Sequence, residues 1–254
     1  MNQKSSEWLE YVKQAMAKNN LGKFLAKDKL GGSVILEWEK ATVKEPGHSE
    51  NMKGVCGVAC KAYTEVEVRF LKKFPDVVEK EEYYKQFKPL FANGVEHVDW
   101  KLVEKEMYTR IKQLHEMDYS QFSAEDIYFF VKVRDKETKK LLGFTIFLIK
   151  SEYSQNSVKD ISIGLIPEAQ GRGLGKLLIS SIFKIIPSVK RIFLFTRITN
   201  DKAIGAYKAW GFTEDPSPLQ DPNFTFKKEH WISLEYKIEN ADKLQKAAEG
   251  FQNS

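Results

Sequence analysis

The stretch IPEAQGRGLGKLL, residues 166–178, decides the fold of this chain. Its glycines stand at the alternate positions 171, 173 and 175, and an apolar run with helical character, residues 176–182, follows directly. Glycines ahead of a helix let backbone N–H groups approach a partner, often a phosphate, because no Cβ stands in the way. The stretch therefore predicts an anion-binding loop that opens a helix.

Two familiar phosphate-binding motifs are excluded by the spacing of these residues. The dinucleotide fingerprint G-x-G-x-x-G would need a glycine at position 176, where the chain has Lys176. The nucleotide P-loop would need a glycine at 170 and Ser or Thr at 177, where the chain has Gln170 and Leu177. A nucleotide is thus disfavoured as the ligand of this loop.

The bulk composition is that of a globular protein without nucleic-acid or membrane character. The 254 residues are 42% hydrophobic, and the net charge is +5. The basic residues are scattered among acidic ones, and so mild an excess favours at most a small anionic ligand. The most apolar run, 141–149, is too short to span a bilayer. The first residues lack the apolar core of a signal peptide, and Cys56 and Cys60 have no partners at zinc spacing. We expect a cytoplasmic protein with no metal, no nucleic acid and no membrane partner.

Hydrophobic periodicity predicts an alternation of helices and strands along the chain. The predicted helices are 6–18, 76–91, 99–117, 176–186, 201–210 and a short one within 240–254. The predicted strands are 33–38, 62–70, a hairpin of 127–134 with 141–149, then 159–166, 191–197 and 231–237. A hairpin joined to a strand–helix–strand crossover requires a sheet of mixed parallel and antiparallel pairing.

Two local motifs within this order resemble those of the GNAT (N-acetyltransferase) superfamily. The first is Q/R-x-x-G-x-G/A, matched by Gln170, Gly173 and Gly175. The second is N-x-x-A-x-x-x-Y-x-x-x-G-F, matched by the residues Asn200, Ala203, Tyr207, Gly211 and Phe212. The resemblance covers roughly residues 60–238.

The resemblance implies a fold of the α/β (α+β) class, with a mixed, mostly antiparallel central sheet, flanking helices and splayed central strands. Residues 61–254 would form the acetyltransferase domain, and residues 1–60 an extension packed on that core. The phosphate would belong to acetyl-CoA, bound as a co-substrate. The expected cofactor-binding residues are Gly164, Leu165, Ile166, Gln170, Gly171, Arg172, Gly173, Leu174, Gly175, Lys176, Asn200, Ala203 and Tyr207. Glycine within a strand marks a bulge or a close backbone approach, and the resemblance implies such a bulge in this strand beside the pantetheine arm. Gly164 could instead be a packing glycine.

The resemblance also implies transfer of an acetyl group to a primary amine by direct attack, with Tyr207 as the general acid. Many members carry a glutamate base where this chain has Lys159, so Asp160 is the candidate base. Water-mediated deprotonation, with the water held by Ser162, is an equal alternative. Glu96 and His97 are candidate acceptor-binding residues for a small-molecule or protein amine. A non-catalytic CoA-binding module with the same fold is the alternative function.

Overall fold

The computed structural model of the chain describes most of its residues. These are residues 3–18, 22–40, 48–77, 126–150, 156–215, 229–240 and 243–253, with the single positions 89, 102, 105, 109 and 153. The described helices are α1 (Gln3–Lys18), α2 (His48–Lys73), α3 (Leu174–Ile185), α4 (Asp201–Trp210) and α5 (Lys243–Glu249). No helix among the described residues is long and apolar enough to cross a membrane.

One sheet of nine strands runs through the described part of the chain. The strands are β1 (Lys23–Lys27), β2 (Ser33–Lys40), β3 (Ile127–Asp135), β4 (Leu141–Ile149), β5 (Ser157–Leu165), β6 (Arg191–Arg197), β7 (Thr213–Glu214), β8 (Trp231–Lys237) and β9 (Gln252–Asn253). Their spatial order is β7-β8-β6-β5-β4-β3-β2-β1-β9. The β5–β6 pair is parallel and the other pairs are antiparallel, so the predicted mixed, mostly antiparallel sheet with flanking helices is confirmed.

The N-terminal residues contribute strands to this sheet. Strand β2 pairs with β3 from Val34 opposite Asp135 to Lys40 opposite Phe129, and β1 pairs with β2 on its other side. The chain divides into one compact unit of residues 1–43 with 118–254 and another of residues 44–117. A domain boundary at residue 60 therefore stays a prediction.

The predicted strand over residues 62–70 is wrong, because these residues belong to α2. Alternation of Thr64, Val68 and Phe70 with polar neighbours resembles a strand, but Thr64, Val68 and Leu71 also repeat at helical spacing and are all buried. The Thr64 hydroxyl donates to the Cys60 carbonyl at 2.7 Å, the local bond that a threonine makes within a helix. Helix α2 ends two residues before Pro75.

The other predicted elements agree with the structure where it describes them. In α1, Trp8, Leu9, Val12 and Met16 are buried, as their spacing predicts. The predicted helices 76–91 and 99–117 lie almost wholly outside the described residues. The hydroxyl of Thr109 donates to the carbonyl of Lys105 at 3.0 Å, one helical turn back.

Candidate active site

Strands β5 and β6 diverge in the middle of the sheet. Their ladder runs from Ser157 opposite Arg191 to Asp160 opposite Leu194 and extends no further within the described residues. Strand β5 nevertheless continues to Leu165, still paired with β4, while β6 continues paired with β8. The predicted splay of the central strands is thus present. Beyond Asp160, residues 161–165 of β5 have no β6 residue as a ladder partner in the described structure.

A β-bulge lies in β5 at Ile161, just where the strands part. Ser162 pairs with Ile146 and Asp160 pairs with Phe147, so Ile161 is the extra residue. Gly164 pairs regularly with Phe144 and is no bulge. Its carbonyl oxygen would lie 2.7 Å from a Cβ built on the facing Gly143, so β4 and β5 approach closely here.

The glycine loop leads from the end of β5 into α3. Ile166 donates its N–H to Leu142, and a single 3₁₀ turn, Pro167–Ala169, follows. Gly171 and Gly173 both have φ of +78°, the left-handed conformation that favours glycine. Helix α3 then begins at Leu174, so the predicted order of strand, glycine loop and helix is confirmed.

Six consecutive backbone N–H groups of this loop find no acceptor among the residues that the structure describes. They belong to Gly171, Arg172, Gly173, Leu174, Gly175 and Lys176. The last three are first-turn donors of α3, where the helix dipole adds partial positive charge. Successive N–H groups around left-handed residues form a concave nest for anions. The loop can therefore accept a phosphate from its backbone alone.

The three glycines of the loop have three different surroundings. A Cβ on Gly171 would meet nothing within 4 Å, whereas one on Gly173 would lie 3.4 Å from the Cβ of Lys29. A Cβ on Gly175 would lie 2.9 Å from the ring of Trp210. Gly175 therefore has a packing reason to lack a Cβ, since Trp210 of α4 contacts α3 there.

The second motif forms the start and the body of α4. The Asn200 side-chain amide donates to the Thr196 hydroxyl at 3.1 Å, which ties the start of α4 to the end of β6. Ala203 is half-buried one turn later. These positions lie at the C-terminal end of β6, past the point where β5 departs. The residues of the second motif therefore lie next to the gap that opens between β5 and β6.

Tyr207 is buried within an aromatic cluster on α4. Its ring lies 5.4 Å from Trp210, edge to face, and 5.4 Å from Phe212. Phe212 in turn packs against Tyr236 of β8. Aromatic contacts on two sides fix the orientation of the Tyr207 ring.

Asp160 is a buried carboxyl at the end of the β5–β6 ladder. Burial raises its pKa to about 7, although hydrogen bonds from the Thr145 hydroxyl at 3.0 Å and the Ser162 amide at 3.2 Å oppose the shift. The Ile161 bulge lies after Asp160, so it does not change the strand alternation by which the side chains of Lys159 and Asp160 point to opposite faces of the sheet. A carboxyl with a pKa near 7 suits proton transfer at neutral pH.

Two buried basic side chains lie next to the splay, and the sequence predicted a role in the site for neither of them. Lys159 is 5% exposed with its Nζ 5.2 Å from the Phe195 ring centre, and Arg197 is 5% exposed with its guanidinium 4.0 Å from the ring centre of Trp231. In the sequence, Lys159 directly follows Val158 within β5, and Arg197 is the last residue of β6, RIFLFTR. Each cation lies over an aromatic face, an arrangement that lowers the cost of burying the charge.

The remaining predicted residues contribute little to the described site. Glu96 and His97 lie outside the described residues, so their acceptor role stays a prediction. Glu214 of β7 forms an ion pair with Lys208, and Asp215, which follows it, forms one with Arg191. No cluster of three or more metal-binding side chains occurs in the described ranges.

One family model matches part of this chain. The model of the Acetyltransferase (GNAT) family matches residues 96–212, the segment that holds the splayed strands, the glycine loop and α4. Residues 96–212 thus match the model of the GNAT family. The fold of this family supports acyl-CoA-dependent acetyl transfer in general. No curated protein matches the chain.

Solved N-acetyltransferase structures match the chain at low identity and with TM-scores below 0.5. The PaiA N-acetyltransferase of Thermoplasma acidophilum, solved with coenzyme A, is 17% identical over 80% of this chain and 98% of its own, with a TM-score of 0.44. A spermidine/spermine N-acetyltransferase, SpeG of Vibrio cholerae, is 21% identical over 59% of this chain and 78% of its own, at 0.36. The ribosomal-protein-S18-alanine N-acetyltransferase of Escherichia coli is 21% identical over 49% and 76%, at 0.35. Likeness of this degree carries no argument about substrate.

Proposed function

We propose that this protein is an N-acetyltransferase that moves an acetyl group from acetyl-CoA to a primary amine by direct attack. The observation that carries the proposal is the run of six backbone N–H groups without an acceptor in the described structure, placed directly after the diverging β5 edge. The nest suits a pyrophosphate, which brings two adjacent anionic groups. The β5 edge suits an extended amide-containing arm, which can pair with it as a strand would.

The residues of β5 have defined roles in this proposal. Gly164, Leu165 and Ile166 present backbone groups to the pantetheine arm, and Gly164 leaves room for its close approach. An N–H near Leu165 donates to the oxygen of the acetyl carbonyl as negative charge develops there. Gln170 and residues 171–176 surround the pyrophosphate, while Asn200 and Ala203 border the arm from α4.

The chemical step balances with one base and one acid. The neutral amine nitrogen forms a bond to the acetyl carbon, the C–S bond of the tetrahedral intermediate breaks, and the thiolate leaves. Tyr207 donates its phenolic proton to the sulfur, and the amine proton passes to Asp160 or to a water held by Ser162. The proton taken up by the base then returns through solvent to Tyr207, so the neutral amine and acetyl-CoA give the acetylated amine and CoA thiol with no net proton.

A second candidate function is favoured by one feature of β5. Lys159 stands where many family members carry the glutamate base, and it is buried as a cation against Phe195. A domain that binds CoA without turning it over would need no base at this strand. The alternative is therefore a CoA-binding module or sensor.

An assay of thiol release distinguishes the two functions. Purified protein would be mixed with acetyl-CoA and a panel of amines that includes polyamines, aminoglycosides and peptides with free N-termini or lysines. Amine-dependent release of CoA thiol, together with the acetylated amine by mass spectrometry, supports the transferase. Binding of CoA without release on any amine supports the module.

A further inference from the structure

The turn between β1 and β2, residues 28–32, lies against the glycine loop. The Asp28 carboxylate accepts a hydrogen bond from Arg172 Nε at 2.7 Å, and Arg172 Nη2 lies 2.6 Å from the same carboxylate oxygen in an ion pair. The backbone N–H of Lys29 donates to the Arg172 carbonyl at 2.9 Å. The turn thus holds both the side chain and the main chain of the residue between the two left-handed glycines.

Asp28 is itself fixed by its own turn. Its carboxylate accepts hydrogen bonds from the N–H groups of Leu30 at 2.9 Å and Gly32 at 2.8 Å, and its side chain is 1% exposed. Burial alone would raise the pKa of Asp28, but the Arg172 guanidinium and these two amides hold that pKa below its ordinary value. The carboxylate is therefore ionised at neutral pH and anchored on a turn that closes a strand pair.

The Lys29 bond determines which way the loop backbone points. In a trans peptide the C=O and N–H groups point in opposite directions. With the Arg172 carbonyl directed at Lys29, the N–H of Gly173 must point away from the turn. Glycine rotates readily about φ and ψ, so a loosened loop could turn this peptide over and present a carbonyl oxygen where an anion should bind.

We propose that Asp28 is a positioning residue for the pyrophosphate loop, acting through Arg172 to keep the loop N–H groups directed at the cofactor. This inference rests on the proposed function. Asp28 touches no substrate atom in this account. Because Asp28 offsets the charge of Arg172, attraction for the phosphates comes from the backbone N–H groups and Lys176 rather than from the Arg172 guanidinium.

Glu37 offers a matched control on the same strand pair. Its carboxylate pairs with Lys23 at 3.1 Å and with Arg134 at 3.0 Å, away from the glycine loop. Asp28→Asn and Glu37→Gln each remove one charge from a paired carboxylate while keeping the size of the side chain. The full-length variants would be compared with wild type for melting temperature, for the Kd of CoA by calorimetry, and for turnover.

Comparing acetyl-CoA with acetyl-pantetheine as the acyl donor distinguishes a misplaced glycine loop from a general loss of structure. Acetyl-pantetheine has the thioester and the arm but no pyrophosphate, so its turnover should not depend on the loop. Asp28→Asn is expected to raise the Kd of CoA and the KM for acetyl-CoA about tenfold, with kcat and the kcat/KM for acetyl-pantetheine within twofold of wild type. Glu37→Gln should leave all of these within twofold.

A double-mutant cycle with Arg172→Met completes the test. If Asp28 acts through Arg172, the double variant binds CoA no more than about twofold more weakly than either single variant, because the same contact is lost. Additive losses, a Kd for Asp28→Asn within twofold of wild type, or tighter binding by that variant would overturn the inference. If Asp28→Asn does not fold, Arg172→Met must show the same selective loss for acetyl-CoA over acetyl-pantetheine. A wild type that binds no CoA would instead remove the proposed function itself.

Discussion

The ring of Trp210 lies over Gly175, so that a Cβ on Gly175 would stand 2.9 Å from the nearest ring carbon. The same indole packs edge to face against Tyr207, with 5.4 Å between ring centres. One aromatic side chain thus joins the first turn of α3 to the residue proposed as general acid. The distance between the glycine loop and Tyr207 therefore depends on Gly175, because its missing side chain leaves room for Trp210.

Gly175→Ala should destabilise the protein. The added methyl must displace Trp210, and overpacking of this kind typically costs about 1–3 kcal/mol, more than the ~1 kcal/mol that alanine gains over glycine in a helix. Gly205→Ala in α4 is the control, since its Cβ would meet nothing within 4 Å. We expect chemical denaturation to show a lower free energy of unfolding for Gly175→Ala and a higher one for Gly205→Ala. A rise for both would show that Trp210 yields without cost.

Tyr207→Phe should lower kcat while leaving the Kd of acetyl-CoA nearly unchanged. The substitution keeps the ring that packs on Trp210 and Phe212 and removes the hydroxyl alone. General-acid assistance is worth about 10²- to 10⁴-fold, and water can replace part of it, so we expect at least a tenfold loss. Turnover on the best amine and the melting temperature would be measured together. A kcat within twofold of wild type with a lower melting temperature would make Tyr207 a packing residue.

The buried carboxyl of Asp160 should make stability depend on pH. Its pKa of about 7 in the folded chain exceeds the ordinary value of 3.8, so between these pH values the folded chain holds a proton that the unfolded chain has lost. The free energy of unfolding therefore falls as pH rises through this window, by roughly 1.4 kcal/mol per pH unit. Chemical denaturation of wild type and Asp160→Asn would be measured from about pH 4.5 to 7. The free energy of unfolding of wild type minus that of the variant should fall with this slope. Parallel curves would mean that Asp160 titrates normally.

Activity should report whether Asp160 is also the base. If it accepts the amine proton, kcat/KM for the amine rises through a pKa near 7 that Asp160→Asn abolishes. Ser162→Ala is the comparison, because a water held by Ser162 is the alternative route. A rate that Asp160→Asn leaves unchanged, with a loss in Ser162→Ala, would assign proton removal to water.

A chain that begins at Lys61 should be poorly soluble. It would lack β1 and β2 and so expose the edge of β3, where seven residue pairs join β2 to β3. Size-exclusion chromatography of the truncated and full chains would show this as aggregation. A monodisperse truncated protein would support an extension that is merely packed on the core.

Much of the fold could be predicted because the local patterns were unambiguous. Strand β6 and helix α4 have the predicted bounds, since an apolar strand and a helix with a Gly211 C-cap each carry clear boundary signals. The strand predicted within α2 failed because Thr64, Val68 and their neighbours satisfy both periods over a short window. A two-residue strand such as β9 has no pattern of its own and forms only by pairing with β1.

The candidate site could be predicted in its backbone but not in its surroundings. Gln170, Gly173 and Tyr207 were recognisable because each belongs to a motif with fixed spacing. The Asp28–Arg172 pair joins residues 144 positions apart, and the contact of Gly175 with Trp210 also depends on tertiary packing. No local pattern encodes contacts of this kind.

Binding of coenzyme A to the glycine loop is the central claim, and calorimetry tests it most directly. CoA would be titrated into wild type and into Gly171→Val, whose side chain would both enter space that no protein atom occupies within 4 Å of the Cβ and strain a backbone with φ of +78°. Melting curves would confirm that both proteins are folded. We predict saturable one-to-one binding by wild type and at least a tenfold weaker Kd for folded Gly171→Val. A folded wild type that takes up no CoA, or a folded variant that binds it equally well, would contradict the account.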